Sequence, residues 1–341
     1  IILSIVLIFI FILFLSYFGI KTSKFNSIIQ NKIHDHNPRL DIKLNKVNFF
    51  LDLKKISIKI KAEKPVLIID KFKEIEFEEI TSNLSITSYL SEEFTIKNLK
   101  ISTHDNDIKN ILSFYRLINN SPKLMILSQF LKKGDVKFSI YLNFDQNGKI
   151  NDDYEINGEF KNLQVSLLKF KDIKNINFKF NATNKNIDLK NIKFIYDKIN
   201  FNSDNISIKD NIKNYFIKGS LFNNGDKVNK KLIQLFYKVN LEEINFNEST
   251  FNSKSNFSFY VNKKFKILDL TFNSEIKNNK FEYNLKNKNF KNFVTNYKDS
   301  IIFKKTKIKV EKQNKKWLLD GSSQYFLEDN LTNLIKFNIV E

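Results

Sequence analysis

Residues 136–144 read Val-Lys-Phe-Ser-Ile-Tyr-Leu-Asn-Phe, a regular alternation of two kinds of side chain. Successive side chains of an extended strand point to opposite faces, so every second residue of this stretch shares one face. Residues 145–148, Asp-Gln-Asn-Gly, follow as a hairpin turn. The stretch therefore predicts an antiparallel β-structure with one apolar face. The residues on that face are Val136, Phe138, Ile140, Leu142 and Phe144.

The same two-residue period recurs along most of the chain and predicts roughly fifteen strands. Asn224-Gly225 and Asp320-Gly321 add turn signals. A few short helices cannot cover the apolar faces of so many strands. The sheet must therefore pack on a second sheet, close into a barrel, or curl into a half-pipe whose apolar floor holds an apolar ligand. Further residues predicted to face inward are Ile176, Phe178, Phe180, Phe194, Phe257, Phe259, Leu270 and Phe272.

Residues 1–20 contain no charged side chain. As a helix they would extend for about 30 Å, the thickness of a bilayer's hydrocarbon core. A cleaved signal peptide is the alternative, but its apolar region is shorter, about 7–15 residues, and ends in small residues. We therefore predict an uncleaved transmembrane anchor. Lys21 and Lys24 on its far flank argue mildly against export, although a long domain is translocated largely regardless of charge.

Residues 21–38 predict a juxtamembrane helical stalk, since Phe25, Ile28, Ile29 and Ile33 recur at helical spacing and Pro38 ends the run. Residues 39–341 form the predicted β-domain. Two short amphipathic helical inserts interrupt it, near 107–133 and near 226–239. Within the first insert, a second helix is expected to start at residues 121–122 and to end at residue 134.

Composition excludes several kinds of chemistry. The chain has no Cys and only 3 His, and it lacks Gly-rich phosphate loops and paired-ligand motifs, so we expect no catalytic residue, metal site or cofactor. The acidic residues between positions 74 and 79 alternate with apolar ones and predict a solvated strand face. The net charge of +19 indicates either a basic solvated surface or an anionic partner. Nucleic acid is not expected, because the aromatic residues share a face with the aliphatic ones and Lys lies opposite.

An apolar N-terminal helix, a stalk and a long series of one-sided strands resemble the AsmA-like family, which includes bacterial proteins of the TamB and YhdP type. The order of elements is similar: residues 25–29 lead into a strand at 40–44, a bend at 86–90 follows, and a strand at 94–101 reads Phe-Thr-Ile-Lys-Asn-Leu-Lys-Ile. Residues 158–163 and 189–194 look alike as well. The resemblance covers most of the chain and rests on pattern rather than on fixed residues.

The resemblance implies a mainly β fold: a long, curled antiparallel sheet, the β-groove, behind an inner-membrane anchor. It implies a single-pass protein whose bulk lies in the periplasm. It also implies that the groove carries phospholipid acyl chains between the inner and outer membranes and so supports outer-membrane homeostasis. Outer-membrane or envelope proteins are further possible partners. The alternative is an envelope scaffold that assists outer-membrane protein assembly without carrying lipid. An Ile at residue 1 and an end within an apparent strand predict a fragment or a short family member.

Overall fold

A computed structural model describes residues 2–24, 26–54, 56–85, 96–118, 125, 128–145, 149–166, 172–227, 230, 242–246, 249–264, 266–284, 300–313, 316–326 and 332–340. Strand makes up 71% of the structure, helices are few and short, and the strand pairings are antiparallel, which confirms a mainly β fold. The chain divides into two compact units. The first unit is Ile1–Ser166 with Lys179–Asn184, and the second is Leu167–Phe178 with Lys185–Glu341.

The first unit begins with helix α1 (Ile2–Tyr17), strand β1 (Ile20–Thr22) and helix α2 (Asn26–His36). Gly19 adopts a φ of 65° and turns the chain out of α1, and β1 then pairs with β3 (Val47–Asp52). α1 has 16 residues, about 24 Å of helix. Among the described residues, no helix combines the length and apolar character needed to cross a membrane, so the predicted transmembrane helix is not supported.

The predicted stalk is only partly right. α2 is a helix that ends two residues before Pro38, but Lys21 and Thr22 belong to β1 rather than to a helix. The sequence gives no sign of this, because a strand of three residues has no periodicity of its own. Its pairing with residues 47–49 of β3 defines it.

The main ladder of the first unit runs β1-β3-β4-β6-β7-β9-β10. Two short strands, β2 and β5, form a second ladder on the first half of β6, and β8 (Asn106–Asp107) pairs with the start of β9. The bounds are β2 (Leu40–Lys43), β4 (Ser57–Glu63), β5 (Val66–Ile69), β6 (Lys73–Ser85), β7 (Ile96–Thr103), β9 (Leu131–Asn143), β10 (Glu155–Val165) and β11 (Ile173–Thr183).

A compact hydrophobic core lies where β2, β5 and β6 meet the helices. α2 contributes Ile29 and Ile33, and helix α3 (Ile108–Ile118) contributes Ile111, Phe114 and Leu117. Asp107 caps the start of α3, since its carboxylate accepts a hydrogen bond from the Lys109 amide at 2.7 Å. The buried residues of this core are Leu40, Ile42, Leu67, Ile69, Ile75 and Phe77.

The helical inserts were predicted only in part. α3 confirms the first helix, and residues 125 and 128–130 are helical, but β9 already begins at Leu131. The predicted helix end at Gly134 is therefore wrong, because Leu131 and Lys133 pair with β10 instead. Strand β14 runs to Lys227, so the start of the second predicted insert is strand as well. Residue 230 is helical, and the rest of that insert, like the predicted bend at 86–90, lies outside the described residues.

The second unit is a meander in which each long strand pairs with the next one, in the order β12-β13-β14-β16-β17-β18-β19-β20. The short strand β15 pairs with the end of β17, and the first half of β11 belongs to this unit. The bounds are β12 (Asn186–Tyr196), β13 (Ile199–Asp210), β14 (Asn214–Lys227), β15 (Ile244–Asn245), β16 (Thr250–Asn262), β17 (Ile267–Asn284), β18 (Ser300–Gln313), β19 (Lys316–Phe326) and β20 (Thr332–Val340).

Both glycine turn signals prove wrong, since each glycine lies inside a strand. Gly225, with a φ of 72°, forms a bulge in β14 where the register to β16 shifts. Gly321 pairs with Phe337 in the middle of the β19–β20 ladder. A Cβ atom at Gly321 would overlap the ring of Phe337, so glycine here makes room for an aromatic side chain from the neighbouring strand.

Candidate functional site

The ladder of the first unit has one continuous apolar face, hereafter the apolar face. Cross-strand partners place one residue from each of six neighbouring strands in a single row, and every residue of that row is apolar. At about 4.8 Å per strand, the row is roughly 24 Å long. It consists of Val47, Ala62, Ile80, Ile101, Ile140 and Ile156.

A second row lies beside it and contains a single polar residue. This row is Ile20, Phe49, Ile60, Ser82, Leu99 and Leu142. The predicted inward-facing residues of β9 thus lie on one face, as the alternation indicated. Val136 is fully buried, while Phe138, Ile140, Leu142 and Phe144 are half-buried. The ring of Phe180 adds to this surface, 5.4 Å from that of Phe160 on β10.

One part of the apolar face belongs to an ordinary core. Ile80 and Ile101 pack against the buried cluster under α2 and α3. Helix α3 also contacts β9. The row is therefore covered in its middle, on β6 and β7, and continues as half-buried residues on β9 and β10.

The opposite face of the same ladder is polar and is organised by ion pairs. Lys61 Nζ lies 3.1 Å from a carboxylate oxygen of Glu79, and Lys100 Nζ lies 3.6 Å from the other. Partial burial opposes ionisation of Glu79, but the hydrogen bond and charge of Lys61 outweigh it, with help from Lys100, and hold the pKa of Glu79 below its usual value. The hydrogen bond to Glu79 raises the pKa of Lys61. The predicted solvated acidic face is confirmed, since Glu74, Glu76 and Glu78 are exposed.

In the second unit three of the predicted Phe residues, Phe257, Phe259 and Phe272, lie together. Phe257 lies directly between Gly219 and Phe272 across three strands, and its ring lies 5.9 Å from that of Phe259. A Cβ on Gly219 would come within 3.0 Å of the Phe257 ring, so the missing side chain provides space for that ring. Phe194 stacks on Phe201 at 5.3 Å.

The other predicted residues of this unit are half-buried. Ile176 and Phe178 lie in the part of β11 that belongs to the second unit. Leu270 follows Asp269, whose φ of 50° coincides with a register shift between β16 and β17. The local period therefore does not fix the side to which Leu270 points.

The sequence did not reveal that small polar residues interrupt the apolar rows of the second unit. They are buried or half-buried and hydrogen-bond to one another across strands, which satisfies their polar atoms. Ser253 Oγ donates to Asn223 Oδ1 at 2.5 Å, and the hydroxyls of Ser255 and Ser274 lie 2.8 Å apart. We call this group the polar seam; it comprises Asn223, Ser253, Ser255, Ser274, Thr306 and Ser323.

The predicted separation of Lys from aromatic residues also has an exception. Lys312 lies between Phe272 and Trp317 in one cross-strand row, and its ammonium group stands 4.5 Å above the Trp317 ring. A cation–π contact lets a charged residue share a face with aromatic ones.

One cavity, of about 760 Å³, lies on the polar side of the second unit and not on the apolar one. It is a trough between the side chains of Lys277, Lys307 and Lys336, above Gly321 and Ser322. Because the lining is charged, this cavity does not suit an acyl chain, and the apolar rows remain the candidate site.

Among the residues that the structure describes, no three of His, Cys, Asp and Glu come together as metal ligands. His34 and His104 lie far apart in the sequence, on α2 and between β7 and β8. No family model matches the sequence, and neither the curated proteins nor the solved structures contain a significant match. The AsmA-like resemblance therefore stays a prediction.

Proposed function

We propose that this chain is a membrane-anchored carrier that moves phospholipids between the inner and outer membranes of a bacterial envelope and has no catalytic step. The row from Val47 to Ile156 carries the proposal, because all six of its residues are apolar and its last two, Ile140 and Ile156, are only half-buried. Each methylene group that leaves water for such a surface gains about 0.8 kcal/mol. The acyl chains of a phospholipid are the ligand whose shape and chemistry fit a long apolar row.

Helix α1 supports the membrane part of the proposal. Its residues Leu7, Ile8, Phe9, Ile10 and Phe11 are all exposed, and five consecutive residues encircle a helix. A helix that is apolar on every side requires an apolar surrounding, either a protein core or a bilayer. We propose a bilayer, with the strands on its periplasmic side.

Lipid content after gentle purification tests the proposal. The full chain, extracted from membranes in mild detergent, should carry phospholipid that mass spectrometry detects, and a delipidated sample should take up phospholipid from vesicles. A delipidated sample that is fully folded and takes up no lipid would contradict the proposal. A stable protein client in place of lipid would favour the envelope scaffold.

A further inference from the structure

The hairpin between β3 and β4 presents exposed apolar side chains at its tip, of which residues 53, 54 and 56 are described. Leu53 is 46% exposed and Ile56 is 65% exposed. The turn is ordered by a local hydrogen bond, since the Lys54 amide donates to Asp52 Oδ1 at 3.1 Å. Side chains as exposed as these contribute little to the hydrophobic core. Packing within the protein therefore does not account for apolar residues at these positions.

Ile56 also adopts an unfavourable backbone conformation. Its φ is 48°, a region in which a Cβ collides with the backbone and which favours Gly or Asn. Strain alone does not single this residue out, because Ile212 in the β13–β14 turn has a φ of 64° and is 90% exposed. The surroundings single out Ile56, because the hairpin that carries it begins with β3, the strand that contacts the apolar helix α1.

The pairing of β1 with β3 places the tip next to α1. Ile20 pairs with Phe49, and β3 then continues toward Leu53, roughly 13 Å farther in the direction from which α1 arrives. α1 contacts β3, and Gly19 lies against the Phe49 carbonyl and the Phe50 ring. The end of the helix and the hairpin tip therefore lie at the same end of the first unit.

The end of α1 carries residues suited to a membrane surface. Tyr17 is 82% exposed and Phe18 is 69% exposed, and aromatic side chains with a polar edge concentrate at the boundary between lipid and water. Lys21 and Lys54 are exposed beside them and can meet anionic headgroups.

We propose that the hairpin tip and the end of α1 together form a membrane contact through which lipids reach the apolar face. The inference rests on the proposed function. Directly behind the tip, Leu51 pairs with Ile58, and Ile58 pairs with Leu84, so apolar residues lead from the tip onto the ladder. The occupant of this surface is the interfacial layer of a bilayer that contains anionic lipid.

Single labels on the full chain test this contact, and the chain's lack of Cys makes each label unique. An environment-sensitive fluorophore is placed on Ile56→Cys, on Phe9→Cys in α1, and on Phe72→Cys as a control. Phe72 is 88% exposed in the β5–β6 turn, and β6 separates it from the tip by roughly 40 Å. The protein is incorporated into phosphatidylglycerol-containing vesicles with spin-labelled lipids. We expect a blue shift and quenching at positions 9 and 56 and neither at position 72.

A second variant separates the contact from folding. Ile56→Asn suits the positive φ, so its unfolding midpoint should equal or exceed that of the wild type, while lipid uptake from vesicles should slow. Ile212→Asn is the matched control and should leave uptake unchanged.

The outcomes distinguish the two proposals. A quenched label at position 9 with an unquenched label at 56, or normal uptake by Ile56→Asn, overturns the contact and leaves the carrier standing. Labels that are both unquenched overturn membrane anchoring and the contact together. Quenching at 56 without any lipid uptake supports the contact and refutes the carrier.

Discussion

Replacing Ile140 with Asp distinguishes an open lipid-binding face from a dry core. Ile140 is half-buried on β9, between Ile101 and Ile156 in the apolar row. Tyr141→Asp on the same strand provides the control, because Tyr141 points to the polar face, between Lys100 and Glu155. Each variant exchanges a good strand former for Asp, which costs at most about 1 kcal/mol. The difference in free energy of unfolding between the two variants therefore reflects the face on which each residue lies.

An open face and a dry core predict different losses of stability for Ile140→Asp. Full burial of an Ile side chain contributes about 1.5–3 kcal/mol, so losing a half-buried one costs about 1 kcal/mol if the new carboxylate reaches water. In a dry core the carboxyl pKa would rise by about 3–5 units, and each unit corresponds to 1.36 kcal/mol, for a cost of about 4–7 kcal/mol. An open face therefore predicts a folded Ile140→Asp protein, and a closed core predicts one that fails to accumulate.

Urea unfolding followed by circular dichroism measures the stability, and mass spectrometry of the same samples measures bound phospholipid. We expect Ile140→Asp to be about 1 kcal/mol less stable than Tyr141→Asp and to lose most of its lipid, whereas Tyr141→Asp keeps it. Unfolding of Ile140→Asp alone, or equal lipid content in both variants, would refute the assignment of this face to lipid.

Three further changes test the structure. Gly19→Ala should destabilise the β1–β3 junction by at least about 1 kcal/mol, because Gly19 has a positive φ and a Cβ there would collide with the Phe49 carbonyl oxygen. The β1 amides should then exchange hydrogen faster, and unchanged exchange would contradict the described turn. Gly321→Ala should displace the Phe337 ring and loosen β20 by about 1–2 kcal/mol, seen as faster exchange in β20 but not in β12. Because the pKa of Glu79 is lowered, its pairing with Lys61 stabilises the fold above the unfolded pKa of about 4.3 and is lost as pH falls through the folded value. Glu79→Gln should therefore reduce the fall in the free energy of unfolding between about pH 5 and pH 3, by less than about 1 kcal/mol. An unaltered dependence on pH would show that the pair contributes nothing.

The sequence predicted the strands whose period is uninterrupted. Residues 136–142 alternate in β9 as expected, because a strand with one apolar face must place its apolar residues at every second position. The prediction failed where a partner strand decides the local structure. β1 is a strand only because it pairs with β3, and the absence of a side chain at Gly321 makes room for the ring of Phe337 on the next strand.

The candidate site, like the fold, was predictable where the two-residue period is uninterrupted and not where contacts between strands decide. Period two placed Phe257 and Phe259 on one face, and their rings do lie together. It could not reveal the polar seam, because Ser255 and Ser274 lie on different strands and are acceptable in an interior only through their mutual hydrogen bond. Bulges such as the one at Asp269 shift the period by one residue and conceal the face of the residues that follow.

The meander of the second unit has a consequence for how its stability is distributed. Each strand from β12 to β20 pairs chiefly with strands that precede or follow it along the chain. Such an array resembles a repeat protein, whose stability is a sum over adjacent elements and whose folding can start at several places. Damage to the β19–β20 pair should then remain local, and addition or loss of a whole hairpin should change the length of the array without changing the way it folds.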